Sequence, residues 1–173
     1  TGVFAEIAAL HGNDNFDLII VHGAGGHVHH LAHTHGLKTG TLDDSVKVAG
    51  ALETQKAVSR LHNEIIKIGN GAGLELASIP THGVITQTSG KIDSCDTKRI
   101  TEALSENKIP VLHGDMVDDR TLRKSICSGD AVTAYLTTLL PVTHLFFATD
   151  VDGIFTTDPH TDPTAELVEN LNF

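Results

Sequence analysis

The feature that most constrains this fold is a short apolar run that stops at a glycine loop. Asp17-Leu18-Ile19-Ile20-Val21 is apolar throughout after its first residue. That is the pattern of a strand buried on both faces of a parallel sheet. The run passes through His22 into Gly23-Ala24-Gly25-Gly26, and a polar, histidine-rich stretch continues to Gly36. A strand covered on both faces needs helices on both sides of its sheet.

The rest of the chain meets that demand. Residues 3–10 read as the last turns of a helix, broken at Gly12-Asn13-Asp14. The clearest helix runs over 47–68, with Leu52, Val58, Leu61, Ile65 and Ile68 forming one apolar stripe. Gly69-Asn70-Gly71-Ala72-Gly73 is a turn, and Leu74–Ile79 a strand. Asp96 caps a helix through about Glu106. Ile109–His113 is a second buried strand, Ser128-Gly129-Asp130 opens a helix to about Leu140, and His144–Ala148 is a further strand. Strands alternate with helices, which predicts an α/β fold: a three-layer αβα sandwich with a mostly parallel open sheet. The expected seam between two lobes lies near Leu140–Val142.

Composition removes whole classes of function. Twelve basic residues against 22 acidic ones give a net charge of −10, which argues against a nucleic-acid or anionic-membrane partner. No apolar run approaches the roughly 20 residues of a membrane span, and the start has no secretory pattern. Two cysteines, Cys95 and Cys127, are too few for a disulfide framework and fit a reducing, cytoplasmic setting.

Ligands of open α/β sheets bind beyond the carboxyl ends of the strands. Three expected strand ends carry suggestive residues: His22–His30, Gly114-Asp115 and Asp150–Gly153. In the first, glycines let backbone N–H groups approach a phosphate closely. A tight turn with no ligand is the alternative. Val28 stands where a dinucleotide fingerprint has its third glycine, and no Gly-Lys-Ser/Thr follows to make a P-loop. The histidines His22, His27, His29, His30, His33 and His35 admit three readings. They are a metal cluster, solvated surface residues, or the source of one hydrogen bond to an anionic substrate. Asp130 either complements a helix N-terminus or positions a lysine or Mg2+ beside transferring phosphates.

Taken in order, five segments resemble the amino-acid kinase superfamily, and within it the isopentenyl phosphate kinase branch. Gly23-Ala24-Gly25-Gly26-His27-Val28-His29 is similar to the family's glycine loop, and Leu61-His62-Asn63 lies on the matching long helix. Pro110-Val111-Leu112-His113-Gly114-Asp115-Met116-Val117, Cys127-Ser128-Gly129-Asp130 and Ala148-Thr149-Asp150-Val151-Asp152-Gly153-Ile154-Phe155 are similar to its later blocks. The resemblance implies transfer of the ATP γ-phosphoryl group, as the Mg2+ complex, to isopentenyl phosphate. It implies His29 and Asp130 as catalytic residues, with Asp130 organising lysines. It places Ala24, His29 and Gly129 on the acceptor, and Gly25, Asp150, Phe155, Thr157 and Pro159 on ATP. Residues 1–140 would be the substrate-binding lobe and 141–173 the start of a nucleotide-binding lobe. The expected partners are a small-molecule phosphate acceptor and, by analogy, a second copy in a homodimer.

The loop departs from the family at Gly26-His27-Val28, where Ser-Phe-Gly is usual, and His30 rivals His29. The family's lysine-bearing segments are expected beyond the ends of these 173 residues. A fosfomycin-type phosphonate kinase and a non-catalytic oxyanion-binding module are the alternatives.

Overall fold

The parity of two neighbouring strands builds the layers of this protein. A computed structural model describes residues 2–13, 16–149 and 151–169, leaving aside the side chains of Asn13 and His27. The chain divides into two compact units, Thr1–Leu140 and Pro141–Phe173.

In the first unit, β1 (Ile20–His22), β2 (Leu76–Ser78) and β5 (Ile109–His113) form a parallel sheet with β5 in the centre. Ile20 pairs with Val111 and His22 with His113. Successive side chains of a strand point to opposite faces. Ile20, Ile109 and Val111 therefore face one way, joining Leu74, Leu76 and the helix residues Phe4, Ile7 and Ile66. Those residues belong to α1 (Gly2–Asn13) and α3 (Ser45–Gly71). Val21 and Leu112 face the other way, joining Ile100, Val132 and Leu136 from α4 (Lys98–Ser105) and α5 (Gly129–Leu139). Helices thus cover both faces. The three-layer α/β expectation holds for this sheet.

Two hairpins that the sequence reading left out make a second sheet. β3 (Ile85–Thr88), β4 (Lys91–Cys95), β6 (Asp115–Asp119) and β7 (Arg123–Cys127) lie in the order β4-β3-β6-β7. Only the β3–β6 pair is parallel. The β3–β4 turn is Ser89-Gly90, with both residues at positive φ, which suits the right-handed twist of a two-residue hairpin. β5 and β6 are separated by Gly114 alone, so one stretch of chain serves both sheets.

α3 is longer than expected, and its buried face differs from the apolar stripe. Asp44 caps it, accepting from the N–H groups of Val46 and Lys47 at 2.9 and 3.1 Å. The buried positions are Gly50, Ala51, Thr54, Val58, His62 and Gly69. Leu52 and Ile68 remain 43 % exposed. Small residues win here because neighbours press close. A Cβ on Gly50 would collide with the His35 ring, and one on Gly69 with Leu76.

The second unit corrects another expectation. His144–Ala148 is not a strand, and Leu145, Phe146 and Phe147 are exposed. An apolar run becomes a strand only when a neighbour takes up its backbone hydrogen bonds. Among the described residues none pairs with it. This unit is organised instead around a bridge between Phe155 and Leu167. Its flanking bonds are Thr156 N–H to Glu166 O at 2.9 Å and Val168 N–H to Ile154 O at 2.7 Å. Among the described residues, no helix is long and apolar enough to cross a membrane.

Candidate functional site

Three backbone segments converge at the carboxyl end of β1. The Gly114 N–H donates to the His22 carbonyl at 2.9 Å. A Cβ on Gly114 would stand 3.0 Å from Gly129 N, and a Cβ on Gly129 would stand 3.2 Å from the His22 oxygen. No side chain fits at either position without moving backbone. The first turn of α5 is thereby held against the strand that feeds the glycine loop.

The loop leads into α2 (Gly25–Thr34). Ala24 is its N-cap and contributes no side-chain hydrogen bond. Gly25 has φ +72°, a conformation open to glycine at little cost. α5 is capped by Ser128, whose hydroxyl accepts from Ala131 N–H at 3.1 Å, and carries Asp130 in its first turn. α2 therefore begins just after β1 ends, and the N-terminus of α5 packs against the same strand end. The positive ends of their dipoles and their unpaired N–H groups suit an anion.

Ala24, Gly25, Gly129 and Asp130 belong to this convergence. His29 lies on α2, exposed, one turn beyond the loop, with the exposed His30 beside it. Phe155, Thr157 and Pro159 belong to the second unit, with Phe155 half-buried in its bridge. Asp150 lies outside the described residues, so the third expected strand end is not among the observed ones. Among the described residues, no group of three or more His, Cys, Asp or Glu side chains could hold a metal ion.

Beneath the loop is a cluster that sequence reasoning missed. His22 and His113 end β1 and β5 on the face that carries α3, and His62 of α3 meets them. The His62 and His113 ring centroids are 4.6 Å apart, and His22 stacks on both at 5.2 and 5.3 Å. His22 Nε2 lies 2.9 Å from His62 Nδ1, and His62 Nε2 lies 2.8 Å from Ser78 Oγ. His22 Nδ1 faces the Gly23 carbonyl at 2.8 Å, and His113 Nδ1 faces that of Gly114 at 3.1 Å. Among the described residues, His113 Nε2 is buried without a partner. Burial disfavours the charged imidazole. It pushes His62 down to about 4, helped by His113 and His22 and opposed by Asp115. Burial likewise lowers His22 and His113. One signal was available in the sequence: both apolar strands end in His-Gly.

Asp115 lies next to this cluster with a fully buried side chain. It accepts from Met116 N–H at 2.8 Å and pairs with His82 Nδ1 at 2.7 Å. That hydrogen bond raises the pKa of His82 against the opposing effect of burial. Cys127, buried and beside Asp115, is pushed up to about 12, mainly by burial. Its thiol is therefore inert near neutral pH.

Known proteins are similar to this chain in sequence and in fold. An isopentenyl phosphate kinase of Arabidopsis thaliana is 31 % identical over 160 residues, 88 % of this chain and 47 % of its own length. The isopentenyl phosphate kinase of Methanocaldococcus jannaschii is 34 % identical over 147 residues, 82 % of this chain and 54 % of its own. This chain thus spans about half the length of these curated relatives. A solved isopentenyl phosphate kinase structure superposes with a TM-score of 0.85 at 28 % identity, covering 98 % of this chain and 71 % of that one. The family model described as the Amino acid kinase family matches residues 1–173, and the chain belongs to that family.

Proposed function

We propose that this protein transfers the γ-phosphoryl group of ATP to isopentenyl phosphate, giving isopentenyl diphosphate and ADP. The observation that carries this reading is the convergence of the glycine loop and the α5 N-terminus on one strand end. The names of the relatives support the choice of acceptor.

In this reading the bond between the γ-phosphorus and the β,γ-bridging oxygen breaks. A new bond forms between that phosphorus and an oxygen of the acceptor phosphate. Such chemistry is positioning and charge stabilisation, and needs no covalent nucleophile on the protein. Ala24 and Gly129 offer backbone to the acceptor phosphate, and His29 donates a hydrogen bond to it. Gly25 serves the ATP phosphates, which arrive with Mg2+ as part of the substrate. Asp130 orients cations supplied by other segments. Asp150, Phe155, Thr157 and Pro159 hold the nucleotide. Residues 1–140 act as the acceptor lobe and 141–173 as the beginning of the nucleotide lobe, in a cytoplasmic protein that forms homodimers.

The test is to incubate the full-length protein with MgATP and isopentenyl phosphate, with fosfomycin in parallel, and to measure ADP and the diphosphate. Diphosphate formation is expected. ADP from neither acceptor would sink the reading, and turnover of fosfomycin alone would reassign the acceptor. His29→Ala should lower kcat/KM by about 100-fold, the usual range for one donor to a developing charge. Full activity in that variant would remove His29 from the site.

A further inference from the structure

We propose that His62 is a positioning residue: it fixes the first peptide of the glycine loop through a one-way chain of hydrogen bonds running from Ser78 through His62 and His22 to Gly23. The direction follows from the atoms. The Gly23 carbonyl can only accept, so His22 Nδ1 carries the hydrogen in their 2.8 Å contact. In neutral His22, Nε2 is then a lone pair, and the hydrogen in its 2.9 Å contact belongs to His62 Nδ1. That leaves His62 Nε2 as an acceptor for the Ser78 hydroxyl at 2.8 Å. A neutral imidazole has one donor and one acceptor nitrogen, so each tautomer is fixed by the one before it.

The chain joins three elements that the loop needs in register. Ser78 ends β2, His62 sits inside α3, and His22 ends β1. Gly23 is the first residue of the loop. His62 is 2 % exposed, so water cannot readily replace it. The groups facing it are His22 from β1, His113 from β5, Asp115 from β6 and Ser78 from β2. Asp115 is itself paired with His82 of the 3₁₀ turn Thr81–Gly83. Held neutral in this company, His62 directs one hydrogen toward the loop instead of presenting a charge to it.

Two amides separate the roles of the ring nitrogens. In His62→Asn the side-chain amide reaches the position of Nδ1 and can still donate to His22. In His62→Gln it reaches the position of Nε2, keeping Ser78 and losing His22. Nitrogen-15 and proton NMR of the full-length protein reads the His22 tautomer and the Gly25 and Gly26 amides directly. The Asn variant should keep the His22 pattern and the glycine amide shifts, and the Gln variant should move both. The consequence for turnover rests on the phosphotransfer reading above; the NMR readout does not. In the kinase assay, kcat/KM should fall about tenfold in the Gln variant and stay within about twofold in the Asn variant, the effect of one aligned hydrogen bond. Equal spectra in the two variants would overturn the inference, whether or not the protein phosphorylates isopentenyl phosphate. If the Gln variant does not fold, the wild-type protein carries the test: nitrogen-15 shifts that put the hydrogen of either His22 or His62 on Nε2 would overturn the inference.

Discussion

Replacing Asp119 should expose how the second sheet is held together. Its carboxylate accepts six hydrogen bonds: at Oδ1 from Ser89 N, Thr121 N, Thr121 Oγ1 and Leu122 N, and at Oδ2 from Gly90 N and Ser125 Oγ. These bonds tie the turn of the β3–β4 hairpin to the turn of the β6–β7 hairpin. Three of the donors have a second partner. Ser89 N–H also reaches Thr121 Oγ1, which is in turn bonded to Ser89 Oγ, and Ser125 Oγ–H reaches Gln87. Asp119→Ala therefore strands chiefly the N–H groups of Gly90, Thr121 and Leu122. At about 1–1.5 kcal/mol each, the variant should lose roughly 3–5 kcal/mol. Asp119→Asn keeps one oxygen but turns an N–H against Gly90 N–H, and should lose about 2–3 kcal/mol. The pH dependence gives a sharper test. Burial raises the carboxyl pKa, but the hydrogen bonds from Gly90, Leu122, Thr121 and Ser125 outweigh it and hold the group well below its ordinary 3.8. A carboxyl depressed in the folded state stabilises above its unfolded pKa and loses that contribution as pH falls toward the folded one. Urea midpoints of wild type and the Asn variant, measured from about pH 6 to about pH 3, should converge as acid is added. A gap that stays constant over that range would refute the argument.

Three further outcomes follow from the same structure. His62 is lowered from 6.5 to about 4; above 6.5 it carries no penalty, while below it the unfolded chain takes up the proton first. Stability should therefore fall between pH 6.5 and about 4, by about 3 kcal/mol, and His62→Asn should flatten that fall in a urea series. His82 is raised by Asp115, so its contribution is present below 6.5 and lost as pH rises through the folded value. His82→Ala should cost about 1–2 kcal/mol near pH 6, after discount for its 36 % exposed side chain, and less near pH 8. Gly114→Ala must push a Cβ against Gly129 N, 3.0 Å away. It should lose about 2 kcal/mol or more in thermal unfolding, whereas Gly71→Ala, with nothing within 4 Å among the described residues, should change stability by less than about 0.5 kcal/mol.

Much of the parallel sheet was legible because its strands are short unbroken apolar runs between turn residues. Ile109–His113 is buried along its whole length, which continuous apolarity announces. The hairpins were harder to see. β4 reads Lys-Ile-Asp-Ser-Cys and β7 reads Arg-Lys-Ser-Ile-Cys, sequences too polar to stand out from loop. Their stability comes from partners distant in sequence, Asp119 above all. The helix face misled for a related reason. Periodicity ranks Leu52 and Ile68 above Gly50 and His62, but contact distance decided which side of α3 could approach the sheet. His144–Ala148 shows the reverse error, an apolar run that pairs with no strand among the described residues.

The histidine cluster was invisible because its members are polar residues placed by three separate periodicities. Strand parity puts His22 and His113 on the α3 face, and helical spacing puts His62 opposite them, four residues after the buried Val58. Apolar side chains at 22 and 113 would continue the core, yet each strand ends there and the next residue is a glycine leaving the ladder. Its carbonyl then needs a donor that is not backbone. An imidazole supplies one from Nδ1, and at position 22 its Nε2 also accepts a bond from His62. Serine or asparagine could also bond locally, but neither fills the space of a ring against two others. The same geometry that closes the top of the core thus reaches the phosphate loop. Substitutions that spare every loop residue but reverse the tautomer of His22 should alter the loop more than substitutions of the exposed His33 beyond it.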